Sequence, residues 1–514
     1  MKTAELQTEL LPHQKRVVDR LEQPDQRGLV VVHGLGSGKT LTSIASQDRL
    51  KMPATVVVPA ALMDNYKKER ARHLSGEAQP IDMMTLQLAS RQGSVPGNPL
   101  LIVDEAHRLR ESSNKGSQAV AASRAQKRLL LTGSPFYNKP SDIAPLLNIA
   151  AGERVLPADE NLFNARCVAE KRISPGFLKS LLGVEGGVVP TLNPHRAAEL
   201  KSHFAKFVDH HPGSTEGFPE VTREDIKIPM SPEQMRVYEG LEGTAPWHIR
   251  AKVRAGLPPS KKDAKELNAF LNAVRQVTNS TAPFIPKSTA ASEPKIDAAF
   301  QNLQKFLNAN TNAKAITYSN YLDSGITPLK QRLTSAGIPF GEFTGEMPKA
   351  KRDQLVRDYN ENKIRALLLS SAGGEGLDLK GTRLIQVLEP HWNEEKIRQV
   401  EGRGVRFMSH AALPENERNV RVERYIAQRT PTGLLEKLRL SKPGMSADEY
   451  LALRSKEKDE LIGQFKNLLP KHEKTAAFGS SLSGGTLQVM DRVALAAAFC
   501  DELQKLAASK QQMR

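Results

Sequence analysis

The segment GLVVVHGLGSGKT ends an apolar run in a glycine-rich turn that closes on Gly38, Lys39 and Thr40. Further along, PLLIVDEAH ends a second apolar run in Asp104 and Glu105. Runs that are apolar at every position suit strands buried on both faces, the condition of a parallel sheet covered by helices. Loops at the carboxyl ends of such strands are where α/β folds hold their ligands. The turn formed by Gly34, Gly36, Ser37 and Gly38 can offer backbone N–H groups to phosphate. Lys39 can reach the β and γ oxygens, and Thr40 can hold Mg²⁺. Asp104 can hold the same Mg²⁺ from the second strand, while Glu105 orients or deprotonates a water. Together the two segments describe a site that hydrolyses a nucleoside triphosphate, with Mg²⁺ as the expected metal. One position departs from the phosphate-loop pattern, which asks for glycine where this chain has His33.

Four runs, GLVVVH, ATVVVP, PLLIVD and KRLLLTG, alternate with helical stretches between Gly28 and about Leu147. A second alternation begins near Lys314 with AKAITYS and continues through IRALLLSS, TRLIQVLEP and VRVERYIA. Asn279–Pro294, rich in Pro, Ser, Thr and Ala and lacking periodicity, reads as a linker. From about Pro157 to Val277 the pattern is mainly helical and basic, with Lys252, Arg254, Lys261, Lys262 and Lys265 close together. After about Arg429 it turns helical again. The expected fold is therefore α/β: two doubly wound parallel-sheet lobes with helical insertions and a helical C-terminal extension. Its expected divisions are 1–150 for the first, ATP-binding lobe, 151–294 for the helical insertion and linker, 295–430 for the second lobe, and 431–514 for the extension.

A chain of 514 residues is too long for one core. Its formal net charge of +16 points to a polyanionic partner, usually nucleic acid. Aromatic residues at 5% disfavour a protein built around base-stacking platforms. No apolar run approaches a membrane span, and the N-terminus lacks the apolar core of a signal peptide, so a soluble intracellular setting is expected, in cytoplasm, nucleoid or nucleus. Cys167 and Cys500, the two cysteines, support neither a disulfide framework nor a cysteine zinc site. The pair His210–His211 is expected on a surface loop.

Two further groups bear on chemistry. LLLTGSP ends a strand in Thr132 and Ser134, which can hydrogen-bond the Asp104–Glu105 strand end and a facing lobe, and so report nucleotide state. KIRQVEGRGVRF carries Gln399, Arg403 and Arg406 at helical spacings of three and four, which puts them on one face. Arginines from a second lobe that reach a phosphate held by the first would act as arginine fingers. Such a site is complete only when the lobes close, which couples hydrolysis to domain motion.

In order along the chain, these segments resemble superfamily 2 helicases, and more closely the Swi/Snf-like DNA translocases. LLPHQKRVV resembles the motif whose glutamine reads adenine, here Gln14; HGLGSGKT resembles motif I, TVVVPAALMDNYKKE motif Ia and DEAHRLR motif II. LTGSPFYNKPSDIAPLLNIA resembles motif III, ITYSNY motif IV, SSAGGEGLDLKGTRLIQVLEPHWN motif V, and QVEGRGVR motif VI. His33, the GGEGLDL segment, the GR of motif VI and SADEYLALRSKEKDELIGQF are more similar to helicase-like ATPases of large DNA viruses and phages, which fits a virus- or phage-encoded protein. The resemblance implies two RecA-like lobes forming an ATP-driven motor, with ATP and Mg²⁺ as cofactors, in which Gln14 contacts adenine and Gln399, Arg403 and Arg406 close onto the γ-phosphate. It also implies nucleic acid, in the first instance double-stranded DNA, held mainly through its phosphates by Pro59, Ser319, Asn320, Ser371 and Gly373. Two other readings stand beside it. One is a strand-separating DNA or RNA helicase; the other is a non-hydrolysing nucleic-acid-binding or virion structural protein.

Overall fold

The buried runs become two six-stranded sheets, all parallel within each sheet. A computed structural model describes residues 5–34, 36–173, 187–213, 217–259, 263–343, 347–370, 377, 379–391, 394–406, 408–438 and 443–472. The first sheet comprises β1 (Gly28–His33), β2 (Ala54–Val57), β3 (Ile81–Met84), β4 (Leu100–Val103), β5 (Lys127–Thr132) and β6 (Val208–His211), in spatial order 6-1-5-4-2-3. The second comprises β7 (Glu220–Pro229), β8 (Lys314–Ser319), β9 (Phe340–Phe343), β10 (Ala366–Ser370), β11 (Thr382–Val387) and β12 (Asn419–Gln428), in order 7-12-11-8-10-9. Every residue of β1, β2, β4, β8 and β10 is buried, as strands covered on both faces require. These are the two RecA-like α/β lobes anticipated from the sequence.

Each sheet also recruits an edge strand from the stretch expected to be mainly helical. β6 pairs in parallel with β1, Val208 opposite Val30 and His211 opposite His33. His210 and His211 therefore lie on a strand, correcting the expectation of a surface loop: hydrogen bonding to the β1 edge overrides the polar composition. β7 pairs along its full length with β12, Glu220 opposite Asn419 and Pro229 opposite Gln428. The basic group also changes character. Lys252 is buried and paired with Asp263 at 2.7 Å, and Arg254 pairs with Glu242; Lys261 and Lys262 lie outside the described residues.

The segment read as a linker is tied down rather than loose. Asn279, Ser280 and Thr281 are buried, the Ser292 N–H donates to Thr281 Oγ1 at 2.8 Å, and Asn279 Nδ2 donates to Glu389. Behind it, Lys295 and Asp448 form a buried ion pair at 2.6 Å, and Asp448 also accepts from Thr278 Oγ1 and the Ala427 N–H.

The last described helix, Ala447–Lys466, starts at a reciprocal cap: the Glu449 N–H donates to Ser446 Oγ and the Ser446 N–H to the Glu449 carboxylate. Its first turns bury Ala447, Tyr450 and Leu451 against the helices Pro232–Gly243, Trp247–Ala255 and Ala264–Asn279. Its last turns bury Leu461, Ile462 and Phe465 in the core of the first lobe, with Phe465 near Phe136 and Phe163. One helix thus packs into two separate cores. Among the described residues, no helix is long and apolar enough to cross a membrane.

Candidate nucleotide site

The phosphate loop hangs between β1 and the helix Lys39–Leu50, and close packing dictates its glycines. Gly38 caps that helix at φ 72°, a left-handed conformation that glycine adopts without a Cβ penalty, and a Cβ there would lie 2.3 Å from Gln14 Nε2. At Gly34 a Cβ would lie 2.4 Å from the Pro212 carbonyl oxygen at the exit of β6. The Lys39 ammonium bends back onto the loop, donating to the His33 and Gly34 carbonyls at 3.1 and 3.2 Å. Burial lowers its pKa, against the opposing pull of Glu105 and Asp104.

β4 delivers the facing carboxylates. Asp104 Oδ1 accepts the Glu105 N–H at 2.9 Å, and burial followed by the neighbouring Glu105 raises the Asp104 pKa. Glu105 sits at φ 51°, a left-handed conformation for a residue with a Cβ, at a cost of about 1–3 kcal/mol. That bend takes Glu105 off the strand axis beside Asp104. His107 Nδ1 lies 3.3 Å from Glu105 Oε2 and, despite burial, holds the Glu105 carboxyl below its ordinary range. Gly36, Ser37, Lys39, Thr40, Asp104 and Glu105 line one cavity of about 390 Å³, whose other wall is the helix Met63–His73 with Asn65, Tyr66 and Glu69. Thr40 and Asp104 are hard oxygen donors on that shared cavity, and two adjacent part-buried carboxylates favour a cation, so the residues fit Mg²⁺.

His33 has a structural explanation. Its Nε2 lies 2.8 Å from Asp209 Oδ1, both side chains fully buried, and Arg16 binds the same carboxylate through Nε and Nη2 at 2.8 Å each. His13 stacks on His211 with ring centroids 4.0 Å apart and approaches the Ser37 carbonyl at 2.8 Å. The N-terminal helix Pro12–Glu22 is thereby locked to both β6 and the phosphate loop. Gln14 belongs to the same contact: Nε2 donates to the Ser37 and Gly38 carbonyls at 3.1 and 3.3 Å, and Oε1 accepts the Leu11 N–H at 2.9 Å. No local sequence pattern marks Asp209 or His13 as partners of the loop; a sheet pairing brings Asp209 there, and the packing of the N-terminal helix brings His13.

Of the coupling pair, Thr132 is buried at the end of β5. Its hydroxyl accepts the Ser134 N–H at 3.1 Å and stands 3.5 Å from His107 Nδ1. Contact with the second lobe runs through a residue the sequence did not single out: Gln399 Nε2 donates to the Tyr137 hydroxyl. The helix carrying Gln399 and Arg403 spans Glu394–Gly404 and stops before Arg406, so the expectation that all three share a helical face is corrected. Arg406 folds back just past the helix end, its Nε donating to the Gly402 carbonyl at 3.1 Å.

The nucleic-acid candidates divide. Pro59 opens the short turn Ala60–Leu62 and lines a small cleft with Asp104, Glu105 and Arg108. Ser319 is completely buried and donates its hydroxyl to Glu389 at 2.6 Å; this corrects its assignment, since it offers no surface to a phosphate in this conformation. Asn320 donates to the same carboxylate from its backbone N–H, at 2.8 Å, and from its side chain. Ser371 and Gly373 lie outside the described residues.

Comparison with known proteins adds the following. A family described as SNF2-related domain matches residues 97–282, and one described as Helicase conserved C-terminal domain matches 298–408. A protein of Acanthamoeba polyphaga mimivirus, named as a candidate ATP-dependent RNA helicase, is 30% identical over 472 residues, covering 89% of this chain and 96% of its own. A termination factor NPH-I homolog of African swine fever virus is 26% identical, over 88% of this chain and 76% of the relative. Among solved structures, the Sulfolobus solfataricus SWI2/SNF2 ATPase core in complex with dsDNA is similar at 16% identity and a TM-score of 0.34, over 91% of this chain and 98% of the other.

Proposed function

The chain belongs to the SNF2-related, helicase-like ATPases, and from that premise we propose that it translocates along double-stranded DNA. It is an ATP hydrolase and an ATP-dependent nucleic-acid motor. In the proposed cycle, ATP enters the cavity between the phosphate loop and the Asp104–Glu105 strand end. Lys39 turns from the His33 and Gly34 carbonyls to the phosphates, and Thr40 and Asp104 hold Mg²⁺. Held there, Mg²⁺ would supply charge neutralisation to the phosphates. Glu105, kept ionised by His107, takes the proton of the attacking water. Gln399, Arg403 and Arg406 approach as the second lobe closes, and Gln14 links the base to the loop carbonyls it already touches.

The observation that carries this reading is the contact between Gln399 and Tyr137, which joins the arginine-bearing helix of the second lobe to the turn beside the carboxylates. The SNF2-related match over 97–282 and the net charge of +16 support duplex DNA as the track. A second reading, strand separation on RNA or DNA, is favoured by the name of the mimivirus relative. A displacement assay separates the two. The translocase should strip the third strand from a triplex and leave a forked duplex paired; unwinding the fork while the triplex stays intact would overturn the choice. Lys39→Ala should abolish turnover in both formats.

A further inference from the structure

Phe136 and Tyr137 follow the strand end of β5 and face opposite ways. Phe136 is buried among Phe204 and Phe465 in the first-lobe core. Tyr137, half-buried, lies against the turn Ala106–Arg110 that continues from Glu105. Its ring stacks on His107 with centroids 5.2 Å apart and planes 3° from parallel, and the Arg110 guanidinium carbon stands 4.5 Å from the same ring centroid. Two side chains of DEAHRLR therefore hold one aromatic ring, and the free end of that ring, its hydroxyl, accepts from Gln399 of the second lobe. The other neighbour of the stack is Glu105, whose Oε2 is 3.3 Å from His107 Nδ1.

We propose that Tyr137 is a positioning residue that makes the orientation of Glu105 depend on where the second lobe stands. The stack sets the plane of the His107 ring and so the direction in which Nδ1 meets Glu105. The hydroxyl lets Gln399 hold or release that ring as the helix Glu394–Gly404 moves. A coupling element must make different contacts in different lobe arrangements, and a hydrogen bond between lobes meets that requirement where packing within one lobe does not. Phenylalanine would keep the stack and lose the link; leucine would lose both. The inference rests on the proposed roles of Glu105 as base and of the second lobe as the closing half.

The test is steady-state ATP turnover of the full chain, with and without duplex DNA, for wild type, Tyr137→Phe, Gln399→Leu and the double variant. Tyr137→Phe should lower DNA-stimulated kcat by about fivefold or more, the scale of a coupled contact, with KM for ATP changed less than about twofold. The double variant should be no slower than Gln399→Leu alone. Full stimulated turnover in Tyr137→Phe, or losses that multiply in the double variant, would overturn the link. Tyr137→Leu tests the stack through basal kcat, which should fall further in Tyr137→Leu than in Tyr137→Phe, where the ring against His107 is kept; equal basal rates in the two variants would overturn that half. If wild type responds to no nucleic acid, the motor reading fails, and the basal comparison of the two variants still decides the part played by Tyr137.

Discussion

Asp209→Asn probes the foundation of the phosphate loop. The carboxylate is fully buried and accepts from His33 Nε2 at 2.8 Å, from Arg16 Nε and Nη2 at 2.8 Å each, and from Arg20 Nη1 at 3.3 Å. Asparagine has the same shape, but it loses the charge and turns an N–H₂ toward groups that already donate. Breaking a buried ion pair on one side costs about 3–5 kcal/mol. The side chains of Arg16 and Arg20 keep 27% and 23% of their surface, so they regain some water and the lower end of that range applies. A loss of about 3 kcal/mol, at about 2–4 °C per kcal/mol for a unit of lobe size, lowers the first-lobe melting transition by about 6–12 °C. Circular dichroism melts at pH 7.5, followed by urea titration, would measure it. Removing Arg16 as well, in Arg16→Met/Asp209→Asn, should cost less than the sum of the two single changes, because the orphaned cation is gone. Burial alone would raise the Asp209 pKa, yet His33 and Arg16 hold it well below the ordinary carboxylate range. Its contribution is therefore present above the unfolded value of about 3.9 and is lost as pH falls through the folded one. A variant that melts within about 2 °C of wild type at pH 7.5 would refute the claim that this carboxylate anchors the loop.

Glu105→Gln should bind ATP normally and turn over roughly 10²–10⁴-fold more slowly, since the strained turn and Asp104 stay in place while the base is lost; rapid-quench hydrolysis would check it, and brisk turnover would remove Glu105 from its role. For Arg406→Ala, kcat should fall by roughly 10³–10⁵-fold with ATP affinity nearly unchanged, and an affinity loss at full turnover would contradict the finger assignment. His211 is pushed down to about 4, chiefly by burial and then by His13, His33 and Arg16 against the pull of Asp209. Between pH of about 6.5 and the folded value the unfolded chain therefore binds a proton that the folded chain does not, and stability should fall as pH falls. His211→Phe, which keeps an aromatic ring against His13, should flatten that slope in urea midpoints taken at pH 7, 6 and 5; an unchanged slope would show that His211 is not the titrating group.

The phosphate loop, Asp104, Glu105 and the core strands of both lobes were legible in the chain itself. A phosphate loop is written in consecutive residues, and a strand buried on both faces must be apolar at each step, so both signals are local. The last helix starts at a local signal of the same kind, Ser446 and Glu449 standing three residues apart. Folding alone determined what meets across distance. His33 finds Asp209 across 176 positions only because β6 pairs beside β1, and Gln399 finds Tyr137 across 262. The resemblance offered Ser319 as a phosphate contact, but in the fold its hydroxyl is buried on Glu389. Ala447–Lys466 reads as an ordinary helix, and its two destinations exist only once two cores stand at its ends. Periodicity reports which face of an element is apolar; the identity of the surface that covers it is a property of the assembled chain.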